Sequence, residues 1–413
     1  MRYALAIVCL GLAAMSCAGE LAAAERLRGC WVVPESIYRE DRAYDLQERR
    51  ELAGKALDRM KRAGIDTVFL ETFVRGYATA KASAGPGLLP IPARYVPASR
   101  GEPDLLSLFI EEAKPRGMRV HAWVHLCYFR SDNIARSRED DDTHSLFHDL
   151  LVRELDALRS RASGSVRELL SDTLTALERG YDTRALAAAL REGGHGFTHT
   201  PMQRIVDELR EAGLPGPSLF AYGPGGRLHP PLEQVPNGSL YVDPAHSEVS
   251  RRLVDMIGSL VENHPGLAGI HLDHIRYPEG DYGYVPRETG GALEFLPPAP
   301  RAREKAVSNL VDACRERVAG RVPVSAAVLP GYYQGWGGSG GSQRGAGQDW
   351  FRWGLSFYTP MLYGIGAGKL SEAMASYRRG LAASSSVYAG IDSLARARGA
   401  SWVLFDYSVL ERN

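Results

Sequence analysis

The chain has 413 residues, and its 49 lysine and arginine residues balance 49 aspartate and glutamate residues, so the formal net charge is zero. This balance argues against a protein whose main partner is a nucleic acid, because binding to phosphates requires a surplus of positive charge. Hydrophobic residues make up 45% and charged residues 24% of the chain, which excludes a disordered protein. The length suits either two or three domains or one α/β barrel with insertions.

Residues 1–24 have the features of a signal peptide. Arg2 supplies a positive charge, residues 4–14 form an apolar stretch too short to span a bilayer, and the alanines at 22–24 offer a cleavage site. A rival interpretation is a lipoprotein signal, with lipidation at Cys17. Both predict an exported protein, periplasmic or secreted, and the second adds a membrane anchor. We expect no transmembrane span in the mature protein, because no later segment is apolar for long enough.

Eight strand signals alternate with helix signals along the rest of the chain. The predicted strands are 28–33, 67–72, 119–126, 269–275, 322–328, 355–362, 387–391 and 402–407. Among the predicted helices, one runs from about 45 to 63, one opens at Pro103, and one has Asp243 as its N-cap. Strand–helix alternation predicts a parallel sheet, and eight units close into an α/β fold of the (β/α)8 TIM barrel type.

A long segment, residues 131–236, separates the third strand from the helix before the fourth. It contains several amphipathic helix patterns, one of which is predicted to begin at a capping box of Ser165 and Glu168. We interpret it as a helical insertion in the loop after strand three, with barrel strands one to three in 25–130 and the rest of the barrel in 237–413. Such loops lie on the catalytic face, so we expect the insertion to wall or cover the site.

The C-terminal end is short for a complete barrel. About ten residues, 392–401, join the seventh and eighth strands, and few residues follow the eighth. This leaves little room for a seventh helix and none for an eighth. We therefore expect part of the apolar flank to be exposed, covered by another segment, or paired with a partner.

Alternation along the strands directs several ionisable side chains into the barrel. Alternate residues of a barrel strand face the interior, and the others face the surrounding helices. If the more apolar residues of each strand face the helices, the residues that face the interior are Phe69, Glu71, His121, Trp123, His125, His271 and Asp273. Strands two, three and four thus each send an ionisable group inward near the C-terminal end, where barrel active sites lie. One inward carboxylate is often structural, paired with an arginine such as Arg75 or Arg276, but several at one rim favour a functional site.

The loop after strand five is rich in glycine and aromatic residues, among them Trp336. Exposed aromatic side chains on such a loop suit stacking on sugar faces. The alternative is a linker whose aromatic residues pack into the core. Tyr363 and Asp406 end the sixth and eighth strands and are further candidates at the same rim.

The sequence predicts neither a metal site nor another cofactor. His121 and His125 lie about 13 Å apart on a straight strand, too far to share one ion. The three cysteines beyond the signal segment are too widely spaced for a zinc pattern or a disulfide framework. The glycine-rich segment 364–369 has the wrong spacing for a phosphate-binding loop.

Seven short segments each carry a distinct sequence motif. They are 28–31, 120–123, 269–278, 347–350, 359–363, 388–391 and 403–407. The most specific is 269–278, which reads Gly-Ile-His-Leu-Asp-His-Ile-Arg-Tyr-Pro. Together they resemble the glycoside-hydrolase-like family ten, a group of exported bacterial barrels, in the family's order and across all eight predicted strands. The resemblance implies a (β/α)8 barrel with glycosidase activity on an oligo- or polysaccharide. Some members of that family act on bacterial cell-wall glycan, including strands stripped of peptide.

The resemblance implies that Asp273 is the leading catalytic carboxylate, which attacks an anomeric carbon or activates a water. A second carboxylate must protonate the leaving oxygen. The candidates are Glu71, from its inward position, and Asp349, from its place in a family-like motif on a loop. The predicted substrate-binding residues are Trp31, His125, His271, Arg276, Tyr277, Trp336, Tyr363 and Asp406. Two competing hypotheses are a non-catalytic glycan-binding barrel and a lipid-anchored envelope scaffold whose insertion binds another protein.

Overall fold

The computed structural model describes residues 26–39, 42–84, 87–89, 91, 95, 97, 101–136, 145–178, 180–196, 198–278, 280–289, 292–331, 346–397 and 401–411. The signal segment with Cys17, and the aromatic loop with Trp336, lie outside the described residues. Within the described part, no helix is both long and apolar enough to cross a membrane.

Parallel strands form a barrel, as the strand–helix alternation predicts. The barrel strands are β1 (Arg28–Val32), β2 (Thr67–Val74), β3 (Arg119–His125), β4 (Gly269–Asp273), β5 (Val324–Val328), β6 (Phe357–Pro360), β7 (Ser386–Val387 and Ala389–Ile391) and β8 (Trp402–Leu404). Each strand pairs in parallel with its neighbour in the chain, and β8 pairs with β1. The first piece of β7 pairs with β6 and its second piece with β8, so the ring closes through β7. The chain therefore folds as a (β/α)8 TIM barrel.

Helices surround the barrel and fill the segment between β3 and β4. They are α1 (Leu46–Arg62), α2 (Leu105–Ala113), α3 (His148–Arg161), α4 (Gly164–Leu177), α5 (Thr183–Glu192), α6 (Pro201–Glu211), α7 (Ser247–Asn263), α8 (Ala302–Arg317), α9 (Ala367–Gly380) and α10 (Ser408–Glu411). Short strands outside the barrel are Tyr77–Ala78, Ser83–Ala84, Gly87–Leu88, Tyr128–Ser131, Ser239–Tyr241, Val285–Thr289 and Ala292–Leu296.

Two predicted helix starts are wrong. Helix α4 begins at Gly164 after Ser163, so Ser165 lies inside the helix, and its N-cap makes no side-chain hydrogen bond. Helix α7 is capped by His246, whose ring nitrogen accepts from the amide of Val249. Asp243 lies before this helix and accepts hydrogen bonds from the amide of Ala245 and the hydroxyl of Tyr277. A favourable cap residue does not fix the first turn when tertiary contacts place the helix elsewhere.

Helices α3 to α6 form the segment between β3 and β4, and a pair of antiparallel strands lies at its base. Those strands are Tyr128–Ser131 and Ser239–Tyr241. Asp132, which follows the first strand, is fully buried and accepts hydrogen bonds from two amides at the N-terminus of α6. His229 lies 3.5 Å from the same carboxylate. An opposite charge and hydrogen bonds therefore compensate the burial of Asp132.

The short C-terminal end leaves no exposed apolar flank among the described residues. In the described parts of this end, the 3-10 turn Leu394–Arg396 lies between β7 and β8, and the four-residue α10 lies after β8. Even so, Ile391 and Leu404 are fully buried and Trp402 is 5% exposed. Of the expected alternatives, the structure shows local cover by other segments of this chain.

A close contact between β3 and β4 explains a glycine in the barrel wall. A Cβ atom on Gly269 would lie 2.5 Å from Cε1 of His121 and 3.0 Å from the carbonyl oxygen of Pro323. His121 has no room to move, because its ring packs against Phe69 and Phe357. We expect Gly269→Ala to lower the free energy of unfolding by about 1–3 kcal/mol, the usual effect of overpacking. Urea unfolding checks this expectation.

Gly368 provides the matched control, because it lies in α9 with open space around its Cα atom. Gly368→Ala should raise stability by up to about 1 kcal/mol, since alanine favours helix more than glycine does. Equal effects of the two substitutions would contradict the steric explanation.

Candidate active site

Three barrel strands bring Glu71, His125 and Asp273 together at their C-terminal ends. His125 and Asp273 are the last residues of β3 and β4 and are paired in register, while Glu71 lies near the end of β2. The Nε2 atom of His125 lies 3.6 Å from Oε1 of Glu71 and 3.9 Å from Oδ2 of Asp273. All three side chains are at most 9% exposed. Their inward orientation is the one that strand alternation predicts.

Asp273 is held by hydrogen bonds to both of its carboxylate oxygens. The indole of Trp123 donates to Oδ2 at 3.0 Å, and the backbone amide of His274 donates to Oδ1 at 2.6 Å. The backbone of His274 adopts a φ of 47°, a left-handed conformation that costs a non-glycine residue about 1 kcal/mol or more. Arg75, just after β2, is held at a φ of 51°. Strained backbone thus follows both strands that carry the carboxylates.

His125 is a neutral imidazole at neutral pH. Burial lowers its pKa to about 3, and the positive charges of Arg75 and Arg276 act in the same direction, while Asp273 opposes them. Both of its ring nitrogens are buried without a hydrogen-bond partner, and the two carboxylates lie beyond normal hydrogen-bond distance. The imidazole is therefore available to bind a ligand hydroxyl between the carboxylates.

Tyr363 lies at the same rim, three residues after β6. Burial and the negative charges of Asp273, Asp392 and Asp406 raise the pKa of its phenol well above the usual value, so it remains a hydrogen-bond donor. Asp406 accepts a hydrogen bond from the amide of Ser408 at the start of α10.

The strands at the base of the segment that contains α3–α6 form one side of the site. The hydroxyl of Tyr241 lies 3.0 Å from Nδ1 of His274, and the ring of Tyr128 lies 5.3 Å from the His274 ring, measured between centroids. Arg276 is half-buried in the same region. Its positive charge acts on both His125 and Tyr241. This segment therefore contacts the residue that follows Asp273.

Trp31 and His271 lie one layer below the carboxylates. Trp31 is 1% exposed and His271 is fully buried, with its Nδ1 atom 2.8 Å from the hydroxyl of Ser325. The ring of His271 packs against Phe69 with centroids 4.4 Å apart. The structure thus places Trp31 and His271 in a buried floor beneath the carboxylates, and their predicted role in substrate binding stays a prediction.

Tyr277 also lies outside the site. Its side chain is 2% exposed, and its hydroxyl donates to Oδ1 of Asp243 at 2.7 Å. Burial and the nearby Asp243 charge raise the pKa of this phenol. In this structure the Tyr277 hydroxyl is therefore occupied by Asp243, and a substrate-binding role for Tyr277 stays a prediction.

Asp349 lines a different cavity, of about 690 Å³, between the loops that follow β4 and β5. Its carboxylate lies 3.2 Å from the guanidinium of Arg352. Of the two candidates for the second carboxylate, the structure brings Glu71 to Asp273.

Sequence reasoning missed Trp123 and Phe405 as site residues. Strand alternation predicts that Trp123 faces inward but indicates no role for it, whereas in the structure its indole donates to Asp273. Phe405 follows β8 and is 36% exposed at the rim. Strand alternation contains the signal for both, because Val403 lies in the barrel interior and Phe405 has the same parity.

In the part of the chain that is described, no group of three or more histidine, cysteine, aspartate or glutamate side chains is arranged to hold a metal ion. Cys127 lies next to β3, and burial raises the pKa of its thiol to about 12, so it is a poor nucleophile at neutral pH. The ionisable groups that the described strands bring together at the rim are two carboxylates and a neutral imidazole.

No protein-family model matches this sequence, and no curated protein matches it. The resemblance to family ten accordingly remains a prediction from the motifs. Among solved structures, the chain is similar to the PgaB (BpsB) glycoside hydrolase domain from Bordetella bronchiseptica, at 12% identity and a TM-score of 0.47, over 94% of this chain and 96% of that one. It is also similar to a GH18 chitinase from Pseudoalteromonas aurantia, at 11% identity and a TM-score of 0.37, over 93% and 94%.

A third similar structure is the Bacillus cereus spore cortex-lytic enzyme SleL, at 8% identity and a TM-score of 0.36, over 88% of this chain and 50% of that one. All three TM-scores are below 0.5. These likenesses therefore carry no argument about the reaction, the substrate or the site residues of this chain.

Buried histidines make the barrel sensitive to acid. Burial lowers the pKa of His121 and His125 to about 3 and that of His271 well below its usual value. In the unfolded chain a histidine titrates near pH 6.5, so between about pH 6.5 and 3 the unfolded state binds more protons than the native state. The stability that these neutral histidines contribute is therefore complete above pH 6.5 and is lost as the pH falls.

We expect His121→Gln to reduce the loss of stability between pH 7.5 and pH 5.0. One such histidine contributes a slope of about 1.4 kcal/mol per pH unit below pH 6.5, so the substitution should remove roughly 2 kcal/mol of this loss. Urea unfolding at several pH values measures it. The offset between the two proteins at pH 8, where the imidazole is neutral in both states, gives the packing cost of the substitution. Identical pH slopes for the two proteins would contradict the assignment.

Proposed function

We propose that this barrel is a glycoside hydrolase in which Asp273 and Glu71 form the catalytic pair. The observation that carries the proposal is the position of these two buried carboxylates around the Nε2 atom of His125 at the C-terminal end of the barrel. Active sites of this fold lie at that end. Hydrolysis of a glycosidic bond requires two carboxyl groups that flank the bond, one to protonate the leaving oxygen and one to attack or to activate water.

The separation of the carboxylates suits this chemistry. The two distances to Nε2, laid end to end, allow the oxygens Oε1 of Glu71 and Oδ2 of Asp273 to be at most about 7.5 Å apart. Retaining enzymes have carboxyl groups about 5–5.5 Å apart, and inverting enzymes about 6.5–9.5 Å apart. This limit on one pair of oxygens is compatible with either stereochemical outcome.

The environments of the two carboxylates suggest their roles. Asp273 is fixed by two hydrogen-bond donors, so its lone pairs have a defined direction, as a nucleophile or a general base requires. Glu71 faces the neutral imidazole of His125 across 3.6 Å and is assigned the protonation of the leaving oxygen. His125 and Tyr363 are assigned to bind sugar hydroxyls between and beside the carboxylates.

The substrate is proposed to be a polysaccharide or cell-wall glycan outside the cytoplasm. The apolar signal-like segment at 4–14 supports export, and the resemblance of 269–278 to family ten supports a glycan substrate. The zero net charge of the chain is consistent with a substrate that is not a nucleic acid.

Substitution of each carboxylate tests the two roles. We expect Asp273→Asn to lower reducing-end release from the cleaved glycan about 10³-fold or more, because the nucleophile or base is lost while an oxygen remains to accept from Trp123. The panel of glycans should include cell-wall strands freed of peptide. Glu71→Gln should lower release from the same glycan by about 10²- to 10⁴-fold. It should retain most activity toward aryl glycosides whose phenol leaves without protonation.

Asp349→Asn is the matched control, because it changes a carboxylate that lines another cavity. It should retain turnover within about threefold of the unsubstituted protein, whereas a loss as large as that of Glu71→Gln would transfer the proton-donor role to Asp349. Full activity of Asp273→Asn would reject the proposed catalytic pair. Glycan binding without any release of reducing ends would favour the non-catalytic barrel.

A further inference from the structure

Two large apolar side chains are exposed among the described residues, and only one of them lies at the candidate active site. Val285 is 56% exposed on the hairpin formed by Val285–Thr289 and Ala292–Leu296, outside the barrel. Phe405 is 36% exposed at the C-terminal end of β8, on the catalytic face. A single exposed apolar residue needs no explanation, so the surroundings of Phe405 decide whether it is functional.

Phe405 lies on a layer of aromatic rings that extends to Asp273. Its ring centroid lies 5.4 Å from that of Tyr363, 6.2 Å from that of Trp31 and 6.4 Å from that of Trp123. Trp31 and Trp123 are almost completely buried and support the Phe405 ring from below. Because the indole of Trp123 also donates to Asp273, the exposed ring and the catalytic carboxylate share one rigid support.

Polar groups at the edge of this layer complement its apolar surface. Asp273 lies at the same rim as Tyr363, and the negative charges of Asp273, Asp392 and Asp406 act on the phenol of Tyr363. A carboxylate has about four acceptor positions, and the phenol remains a donor. A pyranose ring has an apolar C–H face and a rim of hydroxyl groups. An aromatic surface bordered by carboxylates and a phenol is therefore suited to such a ring.

A cavity of about 630 Å³ opens beside Tyr363, the residue that it shares with the aromatic layer. It is lined by Tyr363 and residues 364–369, in which three glycines leave the backbone as the wall. Binding pockets for small ligands have volumes of roughly 300–1,000 Å³. The cavity thus has room for a sugar unit next to the ring that lies on Phe405.

We infer that Phe405 and Tyr363 form a stacking platform for the pyranose ring at the scissile bond, and that the cavity lined by 364–369 receives the next sugar of the chain. This inference rests on the proposed function and narrows its substrate to a polymer of pyranose sugars. Phe405 sets the position of the ring above Asp273, and Tyr363 donates to one of its hydroxyls. The platform is independent of the chemical step, so binding alone can test it.

The test measures binding in an Asp273→Asn background, which prevents turnover of the probes. The probes are chitohexaose, cellohexaose and peptide-free cell-wall strands, titrated by calorimetry. We expect Phe405→Ala to weaken binding of the recognised probe about tenfold, which corresponds to ~1.4 kcal/mol. Phe405→Tyr keeps an aromatic face and should bind within about threefold of the parent. Val285→Ala removes the other exposed apolar side chain and should leave binding unchanged. Near-ultraviolet circular dichroism checks that each variant keeps its packed aromatic interior.

The outcomes separate the platform from the proposed reaction. If the unsubstituted protein hydrolyses a probe and Phe405→Ala does not change the affinity for it, the stacking platform is rejected and the hydrolase proposal is retained. If Phe405→Ala weakens binding of a probe and the unsubstituted protein hydrolyses none of the probes, the stacking platform is supported and hydrolysis is rejected. Absence of both binding and turnover for every probe would overturn both. An equal loss of affinity in Phe405→Ala and Phe405→Tyr would also reject stacking, because the second variant keeps the ring.

Discussion

The hydrogen bond from the Trp123 indole to Asp273 joins the packed interior of the barrel to the carboxylate at its rim. The indole is itself held by Trp31, whose ring also contacts His271 in the floor below. A carboxylate that a rigid donor already orients needs little reorganisation when charge develops beside it. The direction of Asp273 therefore depends on aromatic packing that lies deeper in the barrel.

Several features that lower the stability of the fold lie together at one end of the barrel. Two carboxylates and a neutral imidazole are buried there, and Arg75 and His274 hold left-handed backbone conformations beside them. Each such feature costs stability by itself. The closed ring of parallel strands and the buried apolar layer between strands and helices offset that cost. Local conflict at a rim that the rest of the barrel supports is typical of functional sites.

The site residues that could be predicted from sequence are those whose position follows from strand alternation. Glu71, His125 and Asp273 lie at the ends of regular strands, and in a closed barrel alternate side chains face the interior. Alternation does not report depth, so His271 was placed among the substrate-binding residues although it lies in the floor. It also fails beyond the strands, where the chain turns Tyr277 toward Asp243 and where Asp349 lines a separate cavity. These positions depend on loop conformation, which no local pattern encodes.

The sequence by itself determined the (β/α)8 barrel, the order of its strands and the inward set of ionisable residues, because periodicity and strand–helix alternation are local properties that a closed sheet preserves. Only the tertiary structure decided which of those residues meet. It selected Glu71 over Asp349 as the neighbour of Asp273, covered the apolar flank at the short C-terminal end, and exposed Phe405 at the rim. The physical reason is that distance, depth and exposure arise from the packing of segments far apart in the chain, and residues such as Glu71 and Asp273 are brought within reach of one imidazole only when the ring of strands closes.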